Sequence, residues 1–113
     1  MSKREVKLYL EDIREATIKI EKYVGNKTFD EFMGMDMAVD AVVRNLSIIG
    51  EAARNLPDDF KDKHKHISWY EINGMRNKVI HEYSGINARI LWKTIKEDIL
   101  ELKKQILEIL NEI

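Results

Sequence analysis

The chain has 113 residues, a length that fits one domain with a modest hydrophobic core. Its formal net charge of −1, with 44% hydrophobic and 35% charged residues, argues against a protein whose whole surface binds nucleic acid. Cysteine is absent, which excludes disulfides and thiolate metal sites and suggests a cytoplasmic location. No apolar run reaches the roughly 18 residues of a membrane span, and the N-terminus lacks the apolar core of a signal peptide. We therefore expect one soluble domain over residues 1–113 that has no membrane partner.

Two capping signatures mark the start of the chain. Ser2 with Glu5 three residues later is typical of a helix N-terminus, and Thr28 with Glu31 repeats the pattern. The first signature precedes an apolar stripe at helical spacing, which predicts a helix that ends near Gly25. The stripe consists of Val6, Tyr9, Ile13, Thr17, Ile20 and Val24. After the second signature, Gly34 is expected to break or bend the chain.

A further helix is predicted from about Asp36 to Leu56, where Pro57 stops it. Its apolar residues fall on more than one side, which is typical of a central helix or of one shared with a second subunit. They are Val39, Val42, Val43, Leu46, Ile48, Ile49, Ala52 and Ala53. Residues 57–67 are polar, with Phe60 as the expected anchor, and they predict a short helix or a loop.

Ser68 and Glu71 form a third capping signature, which predicts a helix that continues through Tyr83. A turn is expected over residues 84–87, with Asn87 as the N-cap of a last helix that ends near Asn111. The inward residues of that last helix are Leu91, Ile95, Ile99, Leu102, Ile106 and Ile109. Because no segment alternates between apolar and polar residues, the fold class predicted is an all-α bundle of four main helices with short additional helical segments.

The octapeptide from Arg76 to Tyr83 is the most informative part of the chain for function. Arg76 carries a permanent positive charge and five donors suited to a phosphate, and a histidine such as His81 exchanges a proton near neutral pH. On an ideal helix Ile72, Met75, Val79 and Tyr83 form the buried stripe. Asn77 and His81 then share a face away from the core, and the stem of Arg76 reaches round towards His81. This geometry permits one phosphate between Arg76 and His81.

This segment resembles the R-x4-H-x-Y motif of HEPN domains, here Arg76, His81 and Tyr83. More narrowly, the chain resembles the HepT-like toxins, small all-helical proteins encoded beside a minimal nucleotidyltransferase antitoxin. The resemblance covers nearly the whole chain. It includes Ile48-Ile49-Gly50-Glu51-Ala52-Ala53, Trp69 ahead of Ile72-Asn73-Gly74-Met75-Arg76-Asn77, and Trp92 in the last helix.

The resemblance implies a metal-independent RNA endonuclease that acts as the toxin of a toxin–antitoxin pair and needs no cofactor. Arg76 would stabilise charge on the phosphate, His81 would act as general acid or base, and Asn77 would orient His81 or hold a phosphate oxygen. Tyr83 would receive AMP from the antitoxin, and Glu51 would lie near the active groove. The implied partners are a second copy, so that two motifs line one cleft, the cognate nucleotidyltransferase, and an RNA substrate such as tRNA or mRNA.

Each of these residues also has a structural explanation. His81 is compatible with a solvated histidine favoured at a helix C-terminus, and Arg76 with an ion pair to Glu51. Tyr83 is compatible with a core tyrosine whose hydroxyl reaches the surface, and Asn77 with a residue that bridges helices. The alternative functions are accordingly a non-catalytic helical partner subunit of a minimal nucleotidyltransferase, or a generic four-helix adaptor.

Other candidate sites have weaker support. His64 and His66, with aspartates nearby, offer no third metal ligand at a convincing spacing, so no metal site is predicted. Trp69 and Trp92 are interpreted as core or dimer-interface aromatics rather than platforms for base stacking. Four lysines are more plausible as contacts to an RNA backbone, namely Lys61, Lys63, Lys65 and Lys78.

Overall fold

Helices make up nearly all of the regular structure in the computed structural model, which describes residues 1–81 and 85–113. The α-helices are α1 (Lys3–Val24), α2 (Phe29–Met33), α3 (Asp36–Asn55), α4 (Asp58–Lys63), α5 (Trp69–Val79), α6 (Ala88–Lys93) and α7 (Ile99–Glu112). A π-helical turn (Thr94–Asp98) joins α6 to α7, and two short strands, β1 (Ile80–His81) and β2 (Gly85–Ile86), follow α5. The predicted all-α class is confirmed. Within the described residues, no helix is both long and apolar enough to span a membrane.

Side-chain caps begin the first two helices as the sequence predicts. The Ser2 hydroxyl accepts a hydrogen bond from the Glu5 backbone N–H at 3.2 Å. At α2 the exchange is reciprocal, because Thr28 Oγ1 accepts from the Glu31 N–H while Glu31 Oε1 accepts from the Thr28 N–H. Each such cap satisfies a backbone donor that the helix itself leaves free. The third predicted capping signature is wrong, since Ser68 precedes α5 without a side-chain capping bond.

The core lies where α1 packs against both α3 and α7. Its apolar side chains come from the stripes predicted for these helices, and burial of each contributes about 1.5–3 kcal/mol relative to exposure. A salt bridge between Lys103 Nζ and Glu21 Oε2, at 2.9 Å, also joins α7 to α1. The fully buried members of this interface include Leu10, Ile13, Ile20, Leu46, Ile49, Ile99 and Ile106.

Helix α5 lies against α3, and Gly50 allows the close approach. A Cβ atom built on Gly50 would lie 3.6 Å from the Asn73 carbonyl oxygen and 3.7 Å from that of Ile72. Any side chain longer than that of alanine would therefore push the two helices apart. The packing of α5 on α3 fixes the position of the candidate site relative to the core.

The last helix contains a π turn, in which the Ile99 N–H donates to the Thr94 carbonyl oxygen. Leu91, Ile95 and Ile99 are buried on one side of it. At the start of α6, Asn87 Oδ1 accepts from the Ile90 N–H at 3.1 Å, as predicted. The six predicted inward residues are all buried.

The motif helix ends earlier than predicted, at Val79 rather than beyond Tyr83. Ile80 is extended, with φ −104° and ψ 126°, and it pairs with Ile86 across an antiparallel ladder. Both isoleucines pack against the core, and as β-branched residues they favour the extended backbone of the ladder. Gly85 and Ile86 therefore form a strand where a turn was predicted. Tyr83, with Glu82 and Ser84, lies outside the described residues.

Candidate functional site

The last turn of α5 separates a buried side from a side that carries the motif. Met75 and Val79 are buried, whereas Arg76, Asn77 and Lys78 are exposed. The apolar pair anchors the turn, so the polar residues project from a fixed backbone. Arg76 Nη1 donates a hydrogen bond to Asn77 Oδ1 at 3.1 Å, and this bond orients the guanidinium.

His81 lies in β1, opposite Gly85, and its side chain is exposed. The prediction that Asn77 and His81 share a helical face is wrong, because the helix ends two residues before His81. Backbone hydrogen bonds hold the segment instead: the Ile80 N–H donates to the Arg76 carbonyl, and the Asn87 N–H donates to the Val79 carbonyl at 2.8 Å. His81 therefore has a defined backbone position next to the end of α5.

Two cations give this end of α5 a local positive charge on a chain of net charge −1. Arg76 and Lys78 are both exposed, and neither forms a salt bridge within residues 1–81 and 85–113. Free guanidinium and ammonium donors suit phosphate oxygens. Together with an imidazole that can exchange protons, the arrangement has the chemical groups needed to bind and cleave a phosphodiester.

Glu51 is exposed at the C-terminal end of α3, and its partner is Arg54. Arg54 Nη2 lies 2.7 Å from Glu51 Oε2, and Arg54 Nη1 lies 3.5 Å from the Asn73 carbonyl oxygen of α5. The ion pair considered between Arg76 and Glu51 is not formed in the described structure. Arg54 was missed in the sequence, although its three-residue spacing from Glu51 on one helix is typical of such a pair.

The histidine pair near α4 serves packing. The His64 ring lies 4.6 Å from the Phe60 ring, and the His64 carbonyl accepts from Trp69 Nε1–H at 3.1 Å. Burial lowers the pKa of His64, and the neighbouring His66 lowers it further. Across the described ranges, no three His, Asp or Glu side chains are arranged to hold a metal ion. Trp69 is buried, and Trp92 is partly buried against Phe29 and Phe32, with Lys96 Nζ 4.7 Å from its ring centroid.

A cavity of about 590 Å³ lies between α5 and the π turn with α7. Sequence reasoning missed it, because it is a gap between helices that are distant in the chain. Arg76, Asn77 and His81 do not line it. Its lining comprises Arg54, Ser68, residues 70–75, Lys78, Thr94, Asp98, Glu101, Leu102 and Gln105.

Comparison with known proteins finds a family match over most of the chain. Residues 13–109 match the family model described as "Ribonuclease HepT-like". A "Probable ribonuclease HepT" from Thermococcus cleftensis is 50% identical over 101 residues, which is 89% of this chain and 92% of that protein. A "Putative RNase" from Caldanaerobacter subterraneus subsp. tengcongensis is 49% identical over 105 residues, covering 92% of this chain and 93% of that protein.

A longer relative contains the domain beside another. It is a "Gamma-glutamylcyclotransferase and putative RNase" from Methanocaldococcus jannaschii, 41% identical over 111 residues that make up 98% of this chain and 50% of that protein. No solved structure matches the chain. The family model covers well over half of the residues, and the two relatives of similar length align along nearly their whole sequences. The chain therefore belongs to the HepT-like ribonuclease family.

Proposed function

We propose that the chain is a metal-independent RNA endonuclease in which Arg76 and His81 carry the reaction. The observation that supports this most is the placement of Arg76, Asn77 and His81, all exposed around the end of α5, with the guanidinium oriented by the Asn77 amide. Arg76 supplies the fixed positive charge that a metal ion would otherwise provide at the phosphate. Asn77 positions Arg76, a role that differs from the helical contact with His81 expected from sequence.

The reaction is an internal transfer. The ribose 2′-oxygen attacks phosphorus as an imidazole takes its proton, and the bond to the 5′-oxygen breaks as that oxygen receives a proton from an acid. The products are a 2′,3′-cyclic phosphate and a 5′-hydroxyl. His81 accepts or donates these protons, while Arg76 stabilises the negative charge on the phosphate oxygens in the transition state.

The proposed active form is a homodimer. Arg76, Asn77 and His81 lie on an open surface of one chain, and a second copy would turn two such surfaces into the walls of one cleft. Pairing also places two Arg76 and two Lys78 side chains at one groove, which compensates for the net charge of −1. Two copies of His81 would then be available, one as base and one as acid.

The proposed biological role is that of a toxin neutralised by a nucleotidyltransferase antitoxin. Tyr83 follows His81 by two residues, and transfer of AMP from ATP to its hydroxyl, with release of pyrophosphate, would add a bulky group and a negative phosphate to the motif. Co-expression with the cognate nucleotidyltransferase should add the mass of AMP to the Tyr83 peptide and suppress cleavage. Tyr83→Phe should escape this inactivation. Full neutralisation without any added mass would show that the antitoxin acts by docking alone.

The central test is RNA cleavage by the purified protein in the presence of a chelator. Arg76→Ala and His81→Ala should each reduce the rate by about 100-fold or more, the range typical of a lost acid–base or charge-stabilising group. His66→Ala is the matched control, because His66 is an exposed histidine remote in sequence from the motif. Cleavage that requires a divalent ion and survives His81→Ala would refute the mechanism. No cleavage at all would favour the non-catalytic partner subunit.

A further inference from the structure

The cavity between α5 and α7 has the size and lining of a small-molecule site. Its volume, about 590 Å³, falls within the usual range of ligand pockets, about 300–1,000 Å³. Ile72, Met75 and Leu102 contribute an apolar floor, and all three are buried. Polar side chains form the walls on both sides, from α5 and from the π turn with α7. A flat ring with polar edges fits such a combination.

The walls present mainly hydrogen-bond acceptors. Glu71, Asp98 and Glu101 line the cavity, and none of the three forms a salt bridge within the described ranges. Asn73 Oδ1 is fully buried and has no hydrogen-bond partner there. Because this atom has no accessible surface, a ligand in the cavity would contact the three carboxylates instead.

The balance of charge excludes a phosphate from the interior of the cavity. Three carboxylates face two cations, Arg54 and Lys78, and Arg54 is already paired with Glu51. An anion would be repelled there, whereas a neutral ring that carries N–H donors would be held. The carboxylates are also not arranged as a metal site within the described residues.

Tyr70 provides an aromatic surface at the edge of the cavity. It is 90% exposed, although a tyrosine ring ordinarily buries much of its area. Unstacked RNA bases bind proteins by stacking on such rings while their edges form hydrogen bonds. Tyr70 precedes Arg76 by six residues on the same helix, about 9 Å along its axis. A short piece of RNA can therefore contact both residues.

We infer that this cavity binds a guanine base of the RNA substrate and gives the cleavage reaction its base preference. Guanine carries adjacent N1–H and N2–H₂ donors on one edge, which match the two oxygens of a carboxylate. Uracil presents one N–H between two carbonyl oxygens, which the carboxylates would repel. The inference rests on the proposed ribonuclease function, since it assigns a substrate feature to that reaction.

Binding of the four nucleoside 5′-monophosphates to the full chain tests the inference directly. The four ligands share one phosphate, so differences in affinity measured by calorimetry report on the base. GMP should bind at least about tenfold more tightly than UMP, as expected for one bidentate base contact. The isosteric double variant Asp98→Asn with Glu101→Gln should remove that difference. Tyr70→Ala should weaken all four ligands.

Met37→Ala is the matched control for Tyr70→Ala, because Met37 is 88% exposed and does not line the cavity. Tyr70 is so exposed that its truncation cannot disturb the core, which keeps the test valid if a cavity variant unfolds. Equal affinities for the four nucleotides, or a GMP preference that survives the double variant, would overturn the inference. GMP binding without any RNA cleavage would support the cavity and refute the proposed reaction. Cleavage without GMP preference would leave the reaction standing and refute the guanine site.

Discussion

The bundle of α1, α3 and α7 and the segment from α5 to β2 differ in what holds their backbone in place. In the bundle, long apolar stripes are buried, and Leu10, Leu46 and Ile106 have no exposed area. In the site segment, α5 has 11 residues, begins without a side-chain cap, and exposes Arg76 and Asn77. The bundle is determined by side-chain burial, whereas the site segment depends on a few apolar anchors and on backbone hydrogen bonds.

The contrast follows from the demands of function. Residues that must meet a substrate stay exposed, so they contribute nothing to an apolar pattern and little to the free energy of folding. Their position must come from their neighbours: Val79 below the helix end, and the Ile80–Ile86 pair in the ladder. The site segment can therefore change its conformation while the bundle of α1, α3 and α7 stays folded.

The largest effect on stability is expected from the bundle. Leu46→Ala should lower the free energy of unfolding by about 2–5 kcal/mol, because Leu46 is fully buried in α3 and its truncation leaves a cavity. Urea unfolding followed by circular dichroism measures the change. Arg76→Ala should shift stability by no more than about 0.5 kcal/mol, since its side chain is exposed. Similar losses for the two variants would contradict the division between bundle and site.

The sequence predicts the bundle well for a physical reason. The predicted ends of α1 and α3 agree with the structure to within a residue or two, since capping residues and Pro57 flank uninterrupted apolar stripes. The six inward residues of the last helix were predicted correctly too. The π turn was not predicted, because a buried series at spacings of four also occurs in the regular helix α1, at Ala16, Ile20 and Val24.

The sequence named candidate residues for the site, and part of the geometry predicted for them is wrong. Exposure of Arg76, Asn77 and His81 agrees with their expected position away from the core. The helical relation between Asn77 and His81 failed, because two strands of two residues each are too short to show alternation in sequence. Their formation depends on Ile80 and Ile86 meeting across the ladder, a contact between separate segments. Arg54 and the cavity likewise depend on how α3, α5 and α7 pack.

An intermediate effect is expected at Gly85, which pairs with His81 in the ladder. Its φ of +78° is favourable only for glycine, so Gly85→Ala should lower the free energy of unfolding by about 1–2 kcal/mol and displace His81. RNA cleavage should fall further than the loss of folded protein explains, and both are measured on one preparation. Gly74→Ala is the contrasting variant, because Gly74 has ordinary helical φ and open space around it. The Gly74→Ala substitution should raise the free energy of unfolding by about 0.5–1 kcal/mol. Unchanged cleavage by Gly85→Ala would show that the ladder does not position His81.

The smallest effect concerns the caps, and it compares the start of α2 with the start of α5 through matched substitutions. Thr28→Ala should lower the free energy of unfolding by about 1 kcal/mol at neutral pH, because it removes the Oγ1 acceptor of the α2 cap, while the bond from the backbone N–H of residue 28 to Glu31 remains. Ser68→Ala should cost less than about 0.5 kcal/mol, since Ser68 makes no side-chain capping bond.

Hydrogen bonds from the Thr28 backbone and side chain lower the pKa of Glu31 below its ordinary 4.5, so the ionised form is the one that caps. The contribution of Glu31 is thus present above pH 4.5 and is lost as the pH falls through its lowered pKa. The gap in stability between wild type and Thr28→Ala should narrow over that acid range, whereas the gap for Ser68→Ala should stay constant. Equal costs for the two variants at neutral pH would show that Ser68 caps α5 in solution as Thr28 caps α2.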